Sequence, residues 1–412
     1  MSADTGARVE QARIASGHSQ RSLAEAADIS QPTLSRIISG TRVAKIPELL
    51  KIAWATGHTF AQLTGAETVA DRVQCSARAT SDSGMDVMRE KLLHFLELDE
   101  YLDDQIIPAA RQPGHRPAPD KHPRASAETQ ARNAAARFRA EHHLGEQPLG
   151  DLVAVIEQAT GIDVAVLGAG PDEHGLTMWD SGRNTVFISV ARTERPMRQR
   201  STLAHELGHV LFDDRKDGNR SNWSDRTPEE IRADAFARHL LVPAEGLRTF
   251  LADRVPVTES VLSDVVERFL VSPQIAAIAL HQADYIDEGT KQEWKALSTW
   301  ALAVRFGWSD YYRTLQIDSN RLRAPQGLLA RTITGYTEGV VSAQTIATLR
   351  GENMLATVEA ELREAGIEPA DMTIPLASPA DLPKVDVDMA ELATLLGPEP
   401  AADEPTTEPD AG

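Results

Sequence analysis

The sequence predicts a mainly helical protein with one small β-sheet, an α+β chain built of several domains. Three observations carry this. Apolar residues recur at three- and four-residue spacing through successive segments, as amphipathic helices require. Short β-branched runs stand at 163–167 and 184–190, enough for a small sheet. The 412 residues, with 42% hydrophobic content, support two or three folded cores. The net charge is −19. No apolar run reaches the roughly 18 residues of a membrane helix, and no apolar leader opens the chain, so a cytoplasmic location is expected. The single cysteine, Cys75, excludes an internal disulfide and any thiolate metal cluster.

The first elements are five short helices, at about 6–16, 20–27, 31–39, 46–56 and 59–64. Ser19 and Ser30 suit the N-caps of the second and third. Leu23, Ala24, Ala27, Ile29, Leu34, Ile37, Leu49, Leu50, Ile52 and Ala53 should form their core. The stretch Ser19 to Gly40 resembles the Cro/C1 (XRE) helix-turn-helix family. The resemblance implies double-stranded DNA as a partner and the third helix as reader. Gln31, Thr33 and Ser35 would approach base edges, and Gln20 and Arg36 phosphates or bases. Ile38-Ser39 depart from the Glu-Arg usual there. Residues 1–65 carry seven Lys or Arg against five Asp or Glu, a modest footprint for a duplex binder.

Residues 68–126 read as a linker with one helix. Thr68–Gly84 is polar and loose, Asp86–Ile107 is an amphipathic spacer or dimer helix, and five prolines crowd 108–123 around His115 and His122. A further helix starts near Ala127. Asp163–Leu167 and Asn184–Val190 read as partner strands, and the second offers an edge to an extended peptide.

His205-Glu206-Leu207-Gly208-His209 spells H-E-x-x-H. On a helix capped by Ser201 or Thr202 and running through Phe212, two imidazoles share one face and can reach one Zn²⁺, with Glu206 placed to act on a water. The next helix, Pro228–Leu241 capped by Thr227, carries Glu229 and Glu230 in its first turn. Either is a candidate third ligand, with Glu230 closer to the buried face and His239 a competitor. Asp234, four residues after Glu230, could accept the second N–H of a liganding imidazole. His174, His239 and Arg238 are candidates to steady an oxyanion.

H-E-L-G-H-V-L-F followed by E-x-x-A-D-x-F-A-x-x-L-L-V-P resembles the ImmA/IrrE zinc metallopeptidases over roughly residues 128–285. The resemblance implies Zn²⁺ held by His205, His209 and Glu230, Glu206 as catalytic base, and a gluzincin-like zinc metalloendopeptidase. Asp234 stands where the family often has Asn. The implied substrate is a helix-turn-helix repressor, cleaved in a stress or mobile-element response. The alternative is a transcription factor whose zinc domain only senses a ligand.

Val257–Phe269 and Ser272–Tyr285 complete this region as helices. Residues 290–370 are helical again, with Trp294, Trp300, Trp308, Tyr311 and Tyr312 as core. Residues 379–412 hold nine acids, one Lys and six prolines, a tail without packing residues. The expected domains are therefore 1–67 (helix-turn-helix), 68–126 (linker), 127–286 (peptidase-like), 287–378 (helical) and 379–412 (acidic tail), with a homodimer possible.

Overall fold

Small polar residues open the amino-terminal helices. The computed structural model describes residues 2–56, 58, 63–64, 69–79, 85–105, 125–169, 173–214, 227–252, 254–351 and 355–370. Helices α1 (Ser2–Ala15), α2 (Gln20–Ala26), α3 (Gln31–Ile38) and α4 (Ile46–Thr56) fall close to the periods read from the sequence. Ser19 accepts from the Ser22 backbone N–H and Ser30 from that of Thr33, so both caps form. Leu23, Leu34, Ile37 and Ile52 close one core with Val9 and Ala12. Leu50, expected in that core, is 52% exposed. It sits in an outer stripe of α4 with Ile46 and Trp54, four residues to either side. Most of the fifth helix expected at 59–64, the proline-rich stretch 108–123 and the acidic tail 379–412 lie outside the described residues.

A four-stranded sheet joins β1 (Val73–Ala79), β2 (Asp163–Leu167), β3 (Glu173–Asp180) and β4 (Thr185–Ala191) in the order β1-β3-β4-β2. β3 pairs antiparallel with both β1 and β4, and β2 runs parallel to β4. The sheet departs from expectation at two strands. β4 is an interior strand whose two backbone edges are taken by β3 and β2, so it cannot receive a peptide by edge pairing. Residues 73–79, read as a loose polar linker, form an edge strand, because β3 offers them a complete ladder of partners.

Side chains alternate across this sheet. Ala165, Leu176, Met178 and Phe187 face Met88, Leu92, Phe95 and Leu96 of α5 (Met85–Asp104). The apolar stripe of α5 is therefore covered by the sheet, where the sequence suggested a spacer or dimer helix. Val164, Trp179, Ile188 and Val190 face the opposite way, into a core shared with α6 (Ala127–Glu141), α7 (Leu152–Thr160), α8 (Pro196–Phe212) and α9 (Pro228–Leu241).

The chain continues through α10 (Ala244–Leu251), α11 (Glu259–Phe269) and α12 (Pro273–Gln282), the last capped by Ser272. Three further helices, α13 (Glu288–Lys295), α14 (Thr299–Arg305) and α15 (Ser309–Ser319), place Trp294, Leu302, Trp308 and Tyr312 in the same apolar cluster as α8. Trp308 Nε1 donates to Ser263 Oγ at 2.9 Å. Trp300 and Tyr311 remain 40% and 44% exposed, so only part of the expected aromatic core is buried. Leu328 of α16 (Gln326–Thr337) and Leu349 of α17 (Ala343–Arg350) join the α5 side, and α18 (Leu355–Glu364) packs on α17 through Val358 and Leu362. No helix among the described residues is long and apolar enough to cross a membrane.

Two buried polar features tie the layers. Arg331 of α16 and Arg183 of the β3–β4 turn meet Asp99 and Asp103 of α5, with Arg183 donating to Asp99 at 2.9 Å. Asp99 is only 1% exposed. On the other side, Glu157 Oε1 accepts from the Gln326 and Val164 backbone N–H groups at 2.8 and 3.2 Å, while its Oε2 is buried without a partner among the described residues.

Burial, reinforced by nearby Asp163, pushes the Glu157 carboxyl up from the ordinary 4.5 to about 6. The folded state thus binds more protons than the unfolded chain between those two values. Its contribution to stability is present below the lower value and lost as pH rises through about 6. Glu157→Gln should therefore raise stability at pH 7.5, by at most about 2 kcal/mol, and the gain should vanish near pH 4. Urea unfolding at both pH values checks this, and a variant less stable at pH 7.5 would contradict it.

Candidate metal centre

Pro196 sets the start of the helix that carries the H-E-x-x-H motif. It occupies the first helical position, where a missing N–H costs nothing. Ser201 and Thr202, expected as caps, lie inside α8 instead. Ser201 Oγ donates back to the Arg198 carbonyl at 2.9 Å, and Thr202 is buried. Leu203 and Leu207 anchor α8 in the core, which turns His205 and His209 toward α9. Helix α9 begins at the Thr227 cap, whose side chain accepts from the Glu230 N–H at 3.4 Å.

The two helices touch where Gly208 meets α9. A Cβ at Gly208 would lie 3.3 Å from Ala233 Cα and 3.2 Å from Phe236 Cδ1, so a side chain there would push them apart. The close approach brings the first turn of α9 to the histidine pair. His205 Nε2 and His209 Nε2 lie 2.9 Å apart, and the Glu230 oxygens lie 3.2 Å from the first and 3.5 Å from the second. His205, His209 and Glu230 each offer one ligand atom to this cluster. Glu229 does not enter it.

The donor chemistry explains why these atoms face one another. His205 Nδ1 lies 2.9 Å from Asp234 Oδ1, and His209 Nδ1 lies 3.2 Å from Asp214 Oδ2. An ionised carboxylate only accepts, so the network assigns the hydrogen of each neutral ring to Nδ1. Each Nε2 is left with a lone pair. Two imidazole lone pairs and one carboxylate then converge, none of the three donating to the others, an arrangement that a shared cation satisfies. Their separations bracket the about 3.3 Å expected of atoms bound tetrahedrally at 2.0–2.1 Å from zinc. The residues present fit such an ion.

Asp214 was not singled out in the sequence. Asp213 adopts a left-handed conformation at φ 55°, which returns the Asp214 N–H to the His209 carbonyl at 3.0 Å and its carboxylate to the ring. Arg232 of α9 pairs with the other Asp214 oxygen and stacks on Phe212 at 4.3 Å. The available signal was the Asp-Asp pair closing the helix five residues after His209.

Glu206 is fully buried. Its Oε2 accepts from Thr177 Oγ1 of β3 at 2.7 Å, and its Oε1 has no partner among the described residues. Gly175 makes room for it, since a Cβ there would lie 2.7 Å from Thr202 Cγ2 and 2.9 Å from Glu206 Oε1. The three oxyanion candidates have other partners. His239 and Arg238 both bind Glu128 of α6, at 2.7 and 2.6 Å. Those hydrogen bonds, His239's foremost, hold the Glu128 carboxyl well below the usual range. His174 Nε2 faces an Arg198 nitrogen at 2.6 Å.

In the amino-terminal unit, Gln31, Ser35 and Arg36 are exposed, and Gln20 and Thr33 are half-buried. Arg36 Nε donates to the Pro32 carbonyl at 3.2 Å, and Thr33 Oγ1 engages the Ser30 cap at 2.8 Å.

Comparison with known proteins agrees with these two units. The family profile described as an IrrE N-terminal-like domain matches residues 157–281. A helix-turn-helix profile matches residues 9–59. No curated protein matches the chain. Among solved structures, the apo form of ComR from S. thermophilus is 13% identical and covers 89% of this chain and 92% of its own. The apo form of the competence regulator ComR from Streptococcus vestibularis is also 13% identical and covers 89% and 99%. Both superpose with a TM-score of 0.15, too low to bear on the fold. The chain therefore joins an XRE-type helix-turn-helix domain, of the DNA-binding regulatory kind, to an IrrE-like peptidase-type domain of the ImmA/IrrE class.

Proposed function

We propose that the protein is a DNA-binding regulator whose body is a zinc-dependent endopeptidase acting on a helix-turn-helix repressor. One observation carries the reading: three acceptor atoms from α8 and α9 converge, with both histidines oriented from behind by carboxylates. His205, His209 and Glu230 would hold the ion. Bound zinc would supply Lewis acidity toward water and a peptide carbonyl. Asp234 and Asp214 fix the orientation of the rings and hold their hydrogens at Nδ1. Glu206, with Oε2 held by Thr177 and Oε1 buried without a hydrogen-bond partner among the described residues, takes a proton at Oε1 from the attacking water and returns it to the departing amine. At the other end, Gln31, Thr33 and Ser35 would read base edges, and Gln20 and Arg36 would hold the duplex. The head would bring the peptidase to a promoter or to a repressor of similar fold.

A second reading has its own support. Glu206 is completely covered and already hydrogen-bonded by Thr177, as in a site that binds metal and cuts nothing. In that case the ion would sense or stabilise, and the head alone would regulate.

Metal analysis of the purified chain tests the centre common to both. The parent should carry about one zinc per chain. Glu230→Ala and His205→Ala should lose it, and Asp234→Asn should weaken binding by roughly 10–100-fold. Full zinc retention in Glu230→Ala would remove Glu230 from the ligand set. A metal-free parent after zinc loading would remove the centre itself.

A further inference from the structure

A cavity of about 310 Å³ opens between α5, the end of β2 and the turns beside α16 and α17. Its size falls at the low end for small-molecule sites. Phe95, Leu167 and Leu349 line it as buried apolar side chains, whereas Val87 and Leu322 are 45% and 37% exposed at its mouth. Apolar groups left wet in a concave surface are area that a ligand would cover. The charged lining is cationic for the most part, with Lys91, Arg323 and Arg350 against Glu90 alone, in a chain of net −19.

These cations are not equivalent. Arg323 and Arg350 each donate to a carboxylate, Asp151 at 2.7 Å and Glu361 at 2.6 Å. Lys91 faces no carboxylate among the described residues, and its Nζ reaches only the Gly168 carbonyl at 3.5 Å. Arg192 stands beside it. A Cβ built on Gly168 would be 3.9 Å from both Lys91 Nζ and Arg192 Nε. Gly168 and Arg192 directly follow the last residues of β2 and β4, the parallel pair of the sheet. Ligands of α/β sheets gather at such carboxyl ends.

We propose that this cavity binds a small amphipathic carboxylate. Its apolar body lies on Phe95, Leu322 and Leu349, and its carboxylate lies on Lys91 with Arg192 at the rim. Such a ligand would tie α5 to the carboxyl-terminal helices without touching the metal centre.

Titration calorimetry on the full chain at low salt provides the test, with 3-phenylpropanoate, 3-phenylpropan-1-ol and phenyl phosphate as probes. The propanoate should bind, and the uncharged alcohol should bind at least about tenfold more weakly, as loss of a charge-assisted contact predicts. Lys91→Met should weaken the propanoate by a similar factor, and Leu322→Trp, at the exposed rim, should abolish binding by filling the mouth. The proposal fails if the alcohol binds as well as the acid or if folded Lys91→Met binds unchanged. It also fails if no probe binds up to about 10 mM. Should Lys91→Met not fold, Leu322→Trp decides alone, and undiminished binding there overturns the site. Tighter binding of phenyl phosphate would overturn the carboxylate assignment in favour of phosphate esters.

Discussion

Glu206→Gln should abolish peptide cleavage while leaving the protein folded and its zinc in place. A positioned general base contributes about 10²–10⁴-fold to rate, so the loss should fall in that range. The structure makes this substitution clean. A glutamine carbonyl can still accept from Thr177, and its amide would replace the Oε1 that lies buried without a partner among the described residues. Removing a buried charge there should not lower stability. The assay is cleavage of helix-turn-helix repressor proteins by the zinc-loaded chain, read by gel and mass spectrometry beside zinc content. Cleavage by the variant above about one tenth of the parent rate would exclude Glu206 as base. A parent that cuts none of them, yet whose target-gene output depends on His205 and Glu230, would establish the non-proteolytic reading instead.

Asp99→Ala should be strongly destabilising although it lies outside the candidate metal centre. The Asp99 carboxylate, 1% exposed, is shared by Arg183 and Arg331, and Asp103 completes the set. Without Asp99, two guanidiniums stay in the interior with one partly exposed carboxylate between them. Breaking a buried pair from one side costs about 3–5 kcal/mol, because the stranded charge cannot regain its water. Urea denaturation at pH 7 measures the loss. A cost below about 1 kcal/mol would mean that water reaches Arg331 and that the network is a surface one. The double change Asp99→Ala with Arg331→Met should recover part of the loss, since it removes both sides of one pair.

Local chemistry explains which parts of this fold could be read in advance. Ser19, Ser30, Thr227 and Ser272 each open a helix by accepting a backbone N–H, and each signal lies within three residues. The H-E-x-x-H spacing and the first turn of α9 likewise put the ligand candidates on single helices, and Gly208 brings those helices together. What escaped depends on distant partners. β3 carries His174 and Gly175 and lacks a β-branched run, yet neighbours on both sides make it a strand. Residues 73–79 become an edge strand only because β3 pairs with them. Asp214 reaches His209 through one left-handed residue, a turn that spacing alone does not reveal. The start of α8 is hidden because Ser201 and Thr202 look like caps, whereas the helix begins five residues earlier at Pro196, after Arg195 and without a side-chain cap.

The aromatic residues beyond α12 have a consequence for where this protein can be divided. Trp294, Trp308 and Tyr312 fill the same interior as Leu203 and Leu207 of the motif helix. The IrrE-like match stops at residue 281, but the apolar core it belongs to runs on to Tyr312 and Leu315. A fragment trimmed at residue 281 would lose these rings and lay bare the apolar surface they cover, and its histidine helix would lose part of the backing that keeps it rigid.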